Sequence, residues 1–190
     1  MKTVIILATA FGVFSSAALS NIWKNDKNHS QILFSIEHLG ISDVTGSFNE
    51  FEVSVQSAQE NFSDAVFDLR IQAASIDTRV GMRDNHLRSA DFFDVEKYPE
   101  ITFKSTSIKK NGKDEYSMWG DLTLKGITKN IEVKMEYEGS IEDPKTNKKI
   151  AGLEVEAKIK RSDFGLGSNF GAPVLSDEVE IEAKGEFVLQ

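Results

Sequence analysis

The stretch "VEIEAKGEF", Val179 to Phe187, places Val179, Ile181, Ala183, Gly185 and Phe187 on one parity and Glu180, Glu182, Lys184 and Glu186 on the other. Successive side chains of a strand point to opposite faces, so this pattern gives a strand with one buried and one solvated face. The same alternation recurs in Ile32/Phe34/Ile36/His38, Phe67/Leu69/Ile71/Ala73, Ile101/Phe103, Met118/Gly120/Leu122/Leu124, Ile131/Val133/Met135/Tyr137 and Leu153/Val155/Ala157/Ile159. With Val44 to Val55 the count is eight strands. In that last segment Val44, Gly46 and Phe48 share one parity and Phe51, Val53 and Val55 the other, so a β-bulge is expected at Asn49-Glu50.

Asn111-Gly112 predicts a two-residue hairpin turn and Lys125-Gly126 a second tight connection. Glu142 to Lys149, with Pro144, reads as a polar hairpin tip, and 161–178 as a long glycine-containing loop. Only Arg83 to Val95 has helical spacing. One short helix cannot cover eight amphipathic strands, so their apolar faces must cover one another, in a sandwich or a closed barrel. The meander order and the early bulge favour closure, which also removes sheet edges. The inward parity mixes large residues such as Phe34 and Phe103 with small ones such as Gly46, Ala157 and Ala183. That mixture fits either an interdigitated, filled interior or room for one small ligand.

Residues 1–20, "MKTVIILATAFGVFSSAALS", read as a secretory signal peptide: a lysine, a short apolar run and small residues at Ala18 and Ser20. Cleavage is expected after Ser20, with Ala18 second. The run is shorter than a membrane span and no second apolar stretch follows. The expected division is therefore signal peptide 1–20 and one barrel domain 21–190, in the periplasm, with secretion as second choice. The net charge of −8, about −9 once Lys2 is removed, argues against a nucleic-acid partner. The absence of cysteine excludes disulfides, a thiol nucleophile and thiolate metal sites.

Arg83, Asp84 and His86 stand within four residues, yet no G-x-S-x-G, no H-E-x-x-H and no thiol accompanies them. Asp84 suits a helix cap or first turn, and Arg83 an ion pair. His29, His38 and His86 lack the close spacing of a zinc site, so no metal is expected. "GLGSNFG", 165 to 171, lacks the lysine of a phosphate loop. Asn28-His29-Ser30 and Asn61-Phe62-Ser63 are formal glycosylation sequons, meaningful only in a eukaryotic secretory pathway.

"HSQILFSIEHLG", "VTGSFNEF", "RDNHLRSADFFDVEKYPEITFKST", "GDLTLKGITK" and "KRSDFG" together resemble the YceI-like family of exported polyisoprenoid-binding proteins. The resemblance runs from Trp23 to near the carboxyl end and is most specific in Arg83, Asp84, His86, Leu87, Phe92, Phe93, Tyr98 and Pro99. It implies an eight-stranded antiparallel lipocalin-like barrel, a helix at one end and an apolar pocket for an isoprenoid tail. It implies neither catalysis nor a cofactor.

With the apolar parity, it nominates as ligand-binding Ile32, Phe34, Ile36, His38, Phe48, Phe51, Phe67, Leu69, Ile71, Phe93, Phe103, Met118, Gly120, Leu122, Val133, Met135, Leu153, Val155, Phe164 and Phe170. Arg83, His86 and Arg161 are the candidates for a head group. The expected partner is a long-chain apolar or amphiphilic small molecule, with a homodimer left open. The leading expectation is an exported lipid carrier. The alternatives are an exported lipid hydrolase or isomerase using Arg83, Asp84 and His86, and a stress-related structural protein with a filled core.

Overall fold

In this computed structural model residues 20–190 are described. All of the signal-peptide segment except Ser20 lies outside the described residues. Ten strands follow in chain order: β1 (Asn21–His38), β2 (Ser42–Phe48), β3 (Phe51–Ser57), β4 (Val66–Gln72), β5 (Ile76–Asp77), β6 (Glu100–Lys110), β7 (Glu115–Leu124), β8 (Ile127–Glu142), β9 (Lys149–Lys160) and β10 (Leu175–Leu189). The helix α1 (Gly81–Arg88) sits between β5 and β6.

All neighbouring pairs are antiparallel, and β10 returns to pair with β1. Strand β1 meets β3 along Asn21–Lys24 and β2 along Leu33–His38, while β3 pairs with β4 and β2 with β5. Thus β2 and β3 form one bent stave, β5 and β4 its partner, and the ring closes on eight staves with one short α-helix among the described residues. The bend falls at Asn49 and Glu50, where the pattern changes parity. There the Asn49 N–H donates to Ser75 O, and Glu50 O accepts from the Gln72 N–H.

The Lys125-Gly126 connection is a two-residue turn: both residues have positive φ, 49° and 73°, and Leu124 pairs directly with Ile127. Four expectations are corrected. Residues 111–114 all belong to the β6–β7 connection, because the N–H groups of Asn111 and Gly112 both donate to Glu115 O and leave Lys113 and Asp114 outside the ladder. The helix expected over 83–95 is α1, ending at Arg88, because Ser89 directs its N–H and its hydroxyl onto His86 O. Phe92 and Phe93 then leave the helical path and turn inward. The 161–178 loop ends at 174, because Leu175 pairs with His38 and begins β10.

Fourth, β1 starts at Asn21 rather than Ile32. Its pairing with β10 jumps from Asn25↔Phe187 to Ser30↔Gly185, so residues 26–29 loop out and hide the alternation.

The interior divides along its length. At the end holding the start of β1, Trp23, Val55, Phe62, Tyr116, Met118, Met135, Ala151, Leu153 and Phe187 are buried. Phe62, on the β3–β4 loop, plugs this end, with ring centroids 5.2 Å from Trp23 and 5.4 Å from Tyr137. The Tyr116 hydroxyl donates to Asn61 O at 2.5 Å and holds the plug down. No described helix is long and apolar enough to cross a membrane.

Candidate functional site

Toward the other end the inward parity continues but the barrel is hollow. Phe34, Ile36, Leu69, Ile131, Val155, Ala157, Val179, Ile181 and Ala183 all face inward and yet are only half-buried. A cavity of about 440 Å³ accounts for their exposure, within the usual range for small-molecule sites. Of the nominated residues, Ile32, Phe34, Ile36, His38, Phe48, Leu69, Ile71, Phe93, Phe103, Leu122, Val133, Val155 and Phe170 line it, as do Arg83, His86 and Arg161.

Phe51, Phe67, Met118 and Leu153 lie deeper, around a second cavity of about 70 Å³. Ile32, Leu69, Phe103, Val155 and Ala183 line both cavities. Gly120, Met135 and Phe164 are buried away from either space. A Cβ on Gly120 would stand 2.3 Å from Cζ of Phe103, so this glycine is the seat of the Phe103 ring. The nominations omitted Leu87, Phe92, Ile131, Ala157, Ile181 and Ala183, which also line the large cavity. All but Leu87 and Phe92 shared the inward parity and were legible by it.

At the mouth, Arg83 and Asp84 act on the backbone before α1. Asp84 is buried, and its Oδ1 accepts from the Thr78 N–H at 2.8 Å and from the Thr78 hydroxyl at 2.5 Å. The Thr78 hydroxyl bond is the main cause holding the Asp84 carboxyl below the ordinary aspartate range. Its N–H and the guanidinium groups of Arg88 and Arg83 add to this, against the opposing effect of burial. Arg83 donates from Nε to Thr78 Oγ1 at 2.7 Å and from Nη2 to Thr78 O at 2.8 Å. The pair is a clamp on Thr78.

Arg161 is buried, and all five of its N–H groups are directed at carbonyls of its own loop and of β10. Nε donates to Ser176 O at 2.8 Å, Nη1 to Leu166 O and Gly167 O at 2.9 and 2.8 Å, and Nη2 to Leu175 O at 3.2 Å and to Phe170 O. It organises the 161–174 loop rather than presenting a free charge. His86 is exposed, with Nε2 3.1 Å from Asp91 Oδ2 and its ring edge-on to Phe92 and Phe170. Phe92 and Phe170 stack at 5.6 Å, and the Gly167 N–H donates to Asp91 O at 2.8 Å, joining the two rim loops. The Lys125 ammonium bridges the same loops through Ala90 O and Gly165 O. Leu39, Ile41, Met82 and Val174, on the turns and helix around this mouth, are exposed.

The three histidines do not meet. His38 and His86 line the large cavity, whereas His29 stands nine strand residues from His38, roughly 30 Å along β1. His29 instead faces Asp26 at 3.1 Å and Glu186 at 3.5 Å on the outer surface, and its hydrogen bond to Asp26 raises its pKa. His29 and Glu186 are exposed and Asp26 half-buried, and exposed acidic groups of this kind commonly carry no ion.

Residues 23–187 match the YceI-like domain. Over 192 residues the chain is 38% identical to Protein YceI of Escherichia coli O157:H7, covering 100% of this chain and 98% of that protein. The crystal structure of the Campylobacter jejuni YCEI protein superposes with a TM-score of 0.73 at 32% identity, covering 81% of this chain and 90% of that one. A polyisoprenoid-binding domain from Saccharophagus degradans shares the fold at a TM-score of 0.65 and 16% identity, over 89% of this chain and 98% of that chain.

Proposed function

The chain belongs to the YceI-like family, and from that premise we propose that it is an exported carrier holding the apolar tail of an isoprenoid or similar long-chain lipid. One observation carries the reading: the half-empty barrel, whose cavity of about 440 Å³ is walled almost wholly by apolar side chains. The polyisoprenoid-binding description of the Saccharophagus degradans domain, which shares the fold, supports it. The signal-like residues 1–20 support export, with the periplasm as the destination.

Burial alone suffices for such a role. Each buried CH₂ contributes about 0.8 kcal/mol, so a chain of about ten carbons offsets a substantial part of an association cost of about 4–15 kcal/mol. The commitment of Arg83 and Asp84 to Thr78 leaves a lipid hydrolase or isomerase only His86 of its polar set. Mass spectrometry of organic extracts from the purified protein tests the carrier role. A lipid with a long apolar chain is expected, recovered repeatedly and in near-stoichiometric amount. Recovery of none, together with no binding of added isoprenoids, would overturn the proposal.

A further inference from the structure

The buried hydrogen-bonding groups left without a partner lie at the floor of the barrel. Among the described residues, three buried side-chain polar atoms have no partner: Trp23 Nε1, Asn25 Nδ2 and Ser30 Oγ, all on the first half of β1. Buried donors are rarely left unpaired, and a site that keeps them so is arranged for something that supplies an acceptor. Asn25 and Ser30 flank the looped-out residues 26–29, opposite Phe187 and Gly185 on β10, and both line the small cavity of about 70 Å³.

The orientation of the Asn25 amide is fixed. Its Oδ1 accepts the Val53 N–H at 2.8 Å, which leaves Nδ2 as the free donor. The Ser30 hydroxyl sits where Gly185 has no side chain: a Cβ there would stand 2.5 Å from Ser30 Oγ. The remaining wall is apolar, including Phe51, Val53, Phe67 and Met118. The Phe103 ring stands at the boundary, lining this space and the large cavity alike.

We infer that Asn25 Nδ2 and Ser30 Oγ form a recognition subsite for a small uncharged oxygen group, an alcohol, aldehyde or primary amide. The oxygen sits at the floor and the apolar chain runs past Phe103 toward the mouth. The inference rests on the carrier reading and adds to it an orientation and a head-group class. The small volume excludes a quinone ring. A phosphate is also excluded, because two neutral donors are matched there by no unpaired cation: Lys184, the one cationic residue on the wall, is engaged by Glu154 and Glu182 at 3.0 Å each. At the mouth, by contrast, Arg161 has no N–H left to offer.

The experiment compares farnesol, the hydrocarbon farnesene and farnesyl phosphate as probes on the delipidated full mature chain, with Ser30→Ala and Asn25→Asp beside it. Asn25→Asp keeps an acceptor for the Val53 N–H while removing the amide donor, and circular dichroism with thermal melting checks both folds. Farnesol should bind more tightly than the phosphate, and each substitution should weaken farnesol about three- to tenfold, the range of one lost hydrogen bond. Farnesene affinity should be unchanged. The Asn25 side-chain amide resonances, assigned by their loss in Asn25→Asp, should shift on adding farnesol and stay in place with farnesene.

Equal responses of farnesol and farnesene to the substitutions would overturn the subsite while leaving the carrier standing. So would an Asn25 amide unmoved by farnesol, as when an ordered water fills the cavity. Failure of all three probes to bind the unaltered chain would remove the carrier reading and the subsite with it. Should Asn25→Asp fail to fold, the farnesol and farnesene affinities of Ser30→Ala decide the matter.

Discussion

The closed end and the mouth of this barrel are built from the same strands, with the same alternation, and reach opposite outcomes. At the closed end Val55, Phe62 and Ala151 have 0% exposure and Tyr116 1%, because the β3–β4 loop folds Phe62 into the opening and large aromatic rings meet. Toward the mouth, Val179, Ile181 and Ala183 face inward just as regularly but remain half-buried around the cavity. Alternation decides which way a side chain points. Whether the space it points into is filled depends on side-chain volume and on what caps the end.

The contrast can be broken most sharply at the plug. Phe62→Ala should lower stability by about 3–5 kcal/mol, the usual cost of deleting a buried phenylalanine, read as a reduced urea midpoint at constant slope. The hollow half should answer in the other currency. Ala183→Trp, which fills the cavity from β10, should reduce farnesol affinity by about a hundredfold or more, while stability changes by about 1 kcal/mol or less since the added ring enters empty space. Isothermal titration and denaturation on the same sample separate the two effects.

Each end also has an aspartate clamp. Asp84 holds Thr78 at the mouth, and Asp64 holds Ser57, Ala58 and Gln59 beneath the plug. For Asp64, burial works to raise the pKa, but the Ser57 hydroxyl and the Ala58 and Gln59 N–H groups together bring it below the ordinary value. A carboxyl with a depressed folded-state pKa contributes stability that is complete above its unfolded value, near 4, and is lost as pH falls through the folded value. Acid should therefore loosen both clamps below about pH 4. Asp84→Asn should cost about 1–2 kcal/mol at neutral pH and flatten that acid dependence, followed by hydrogen exchange in α1. The smallest expected effect is Ile181→Ala on the cavity wall, about 1 kcal/mol or less, because its side chain has already lost part of its packing to the void; thermal melting checks it.

The strand parity, the bend at Asn49-Glu50 and the Lys125-Gly126 turn were legible in the sequence because each is a local pattern with a local cause. The first half of β1 was not, because the looped-out Asp26-Lys27-Asn28-His29 interrupts the alternation between Trp23 and Ile32. That same interruption hid Asn25 and Ser30, whose polarity reads as surface until the ladder shows both facing inward. The hollow interior lay beyond the sequence for a different reason: small and large inward residues serve either outcome, and only their placement distinguishes them. Gly120 shows this, since the ring of Phe103 occupies the room that this glycine leaves. The cationic residues at the mouth resisted reading too, because a guanidinium bound to five carbonyls and one awaiting a ligand look alike as letters.

The seam between β1 and β10 brings the start of β1 and the end of β10 side by side. Trp23 pairs with Leu189, and the Gln190 N–H donates to Ile22 O at 2.9 Å. The start of β1 and the end of β10 therefore both lie at the floor of the barrel. In a chain trimmed to begin at Asn21, an affinity handle or fluorophore fused at either terminus holds the barrel from beneath and keeps the mouth clear, so added lipid probes reach it unobstructed. A circular permutant that joins Gln190 to Asn21 through a short linker and opens the chain within 143–148 would preserve every strand pairing and turn the seam into an ordinary hairpin.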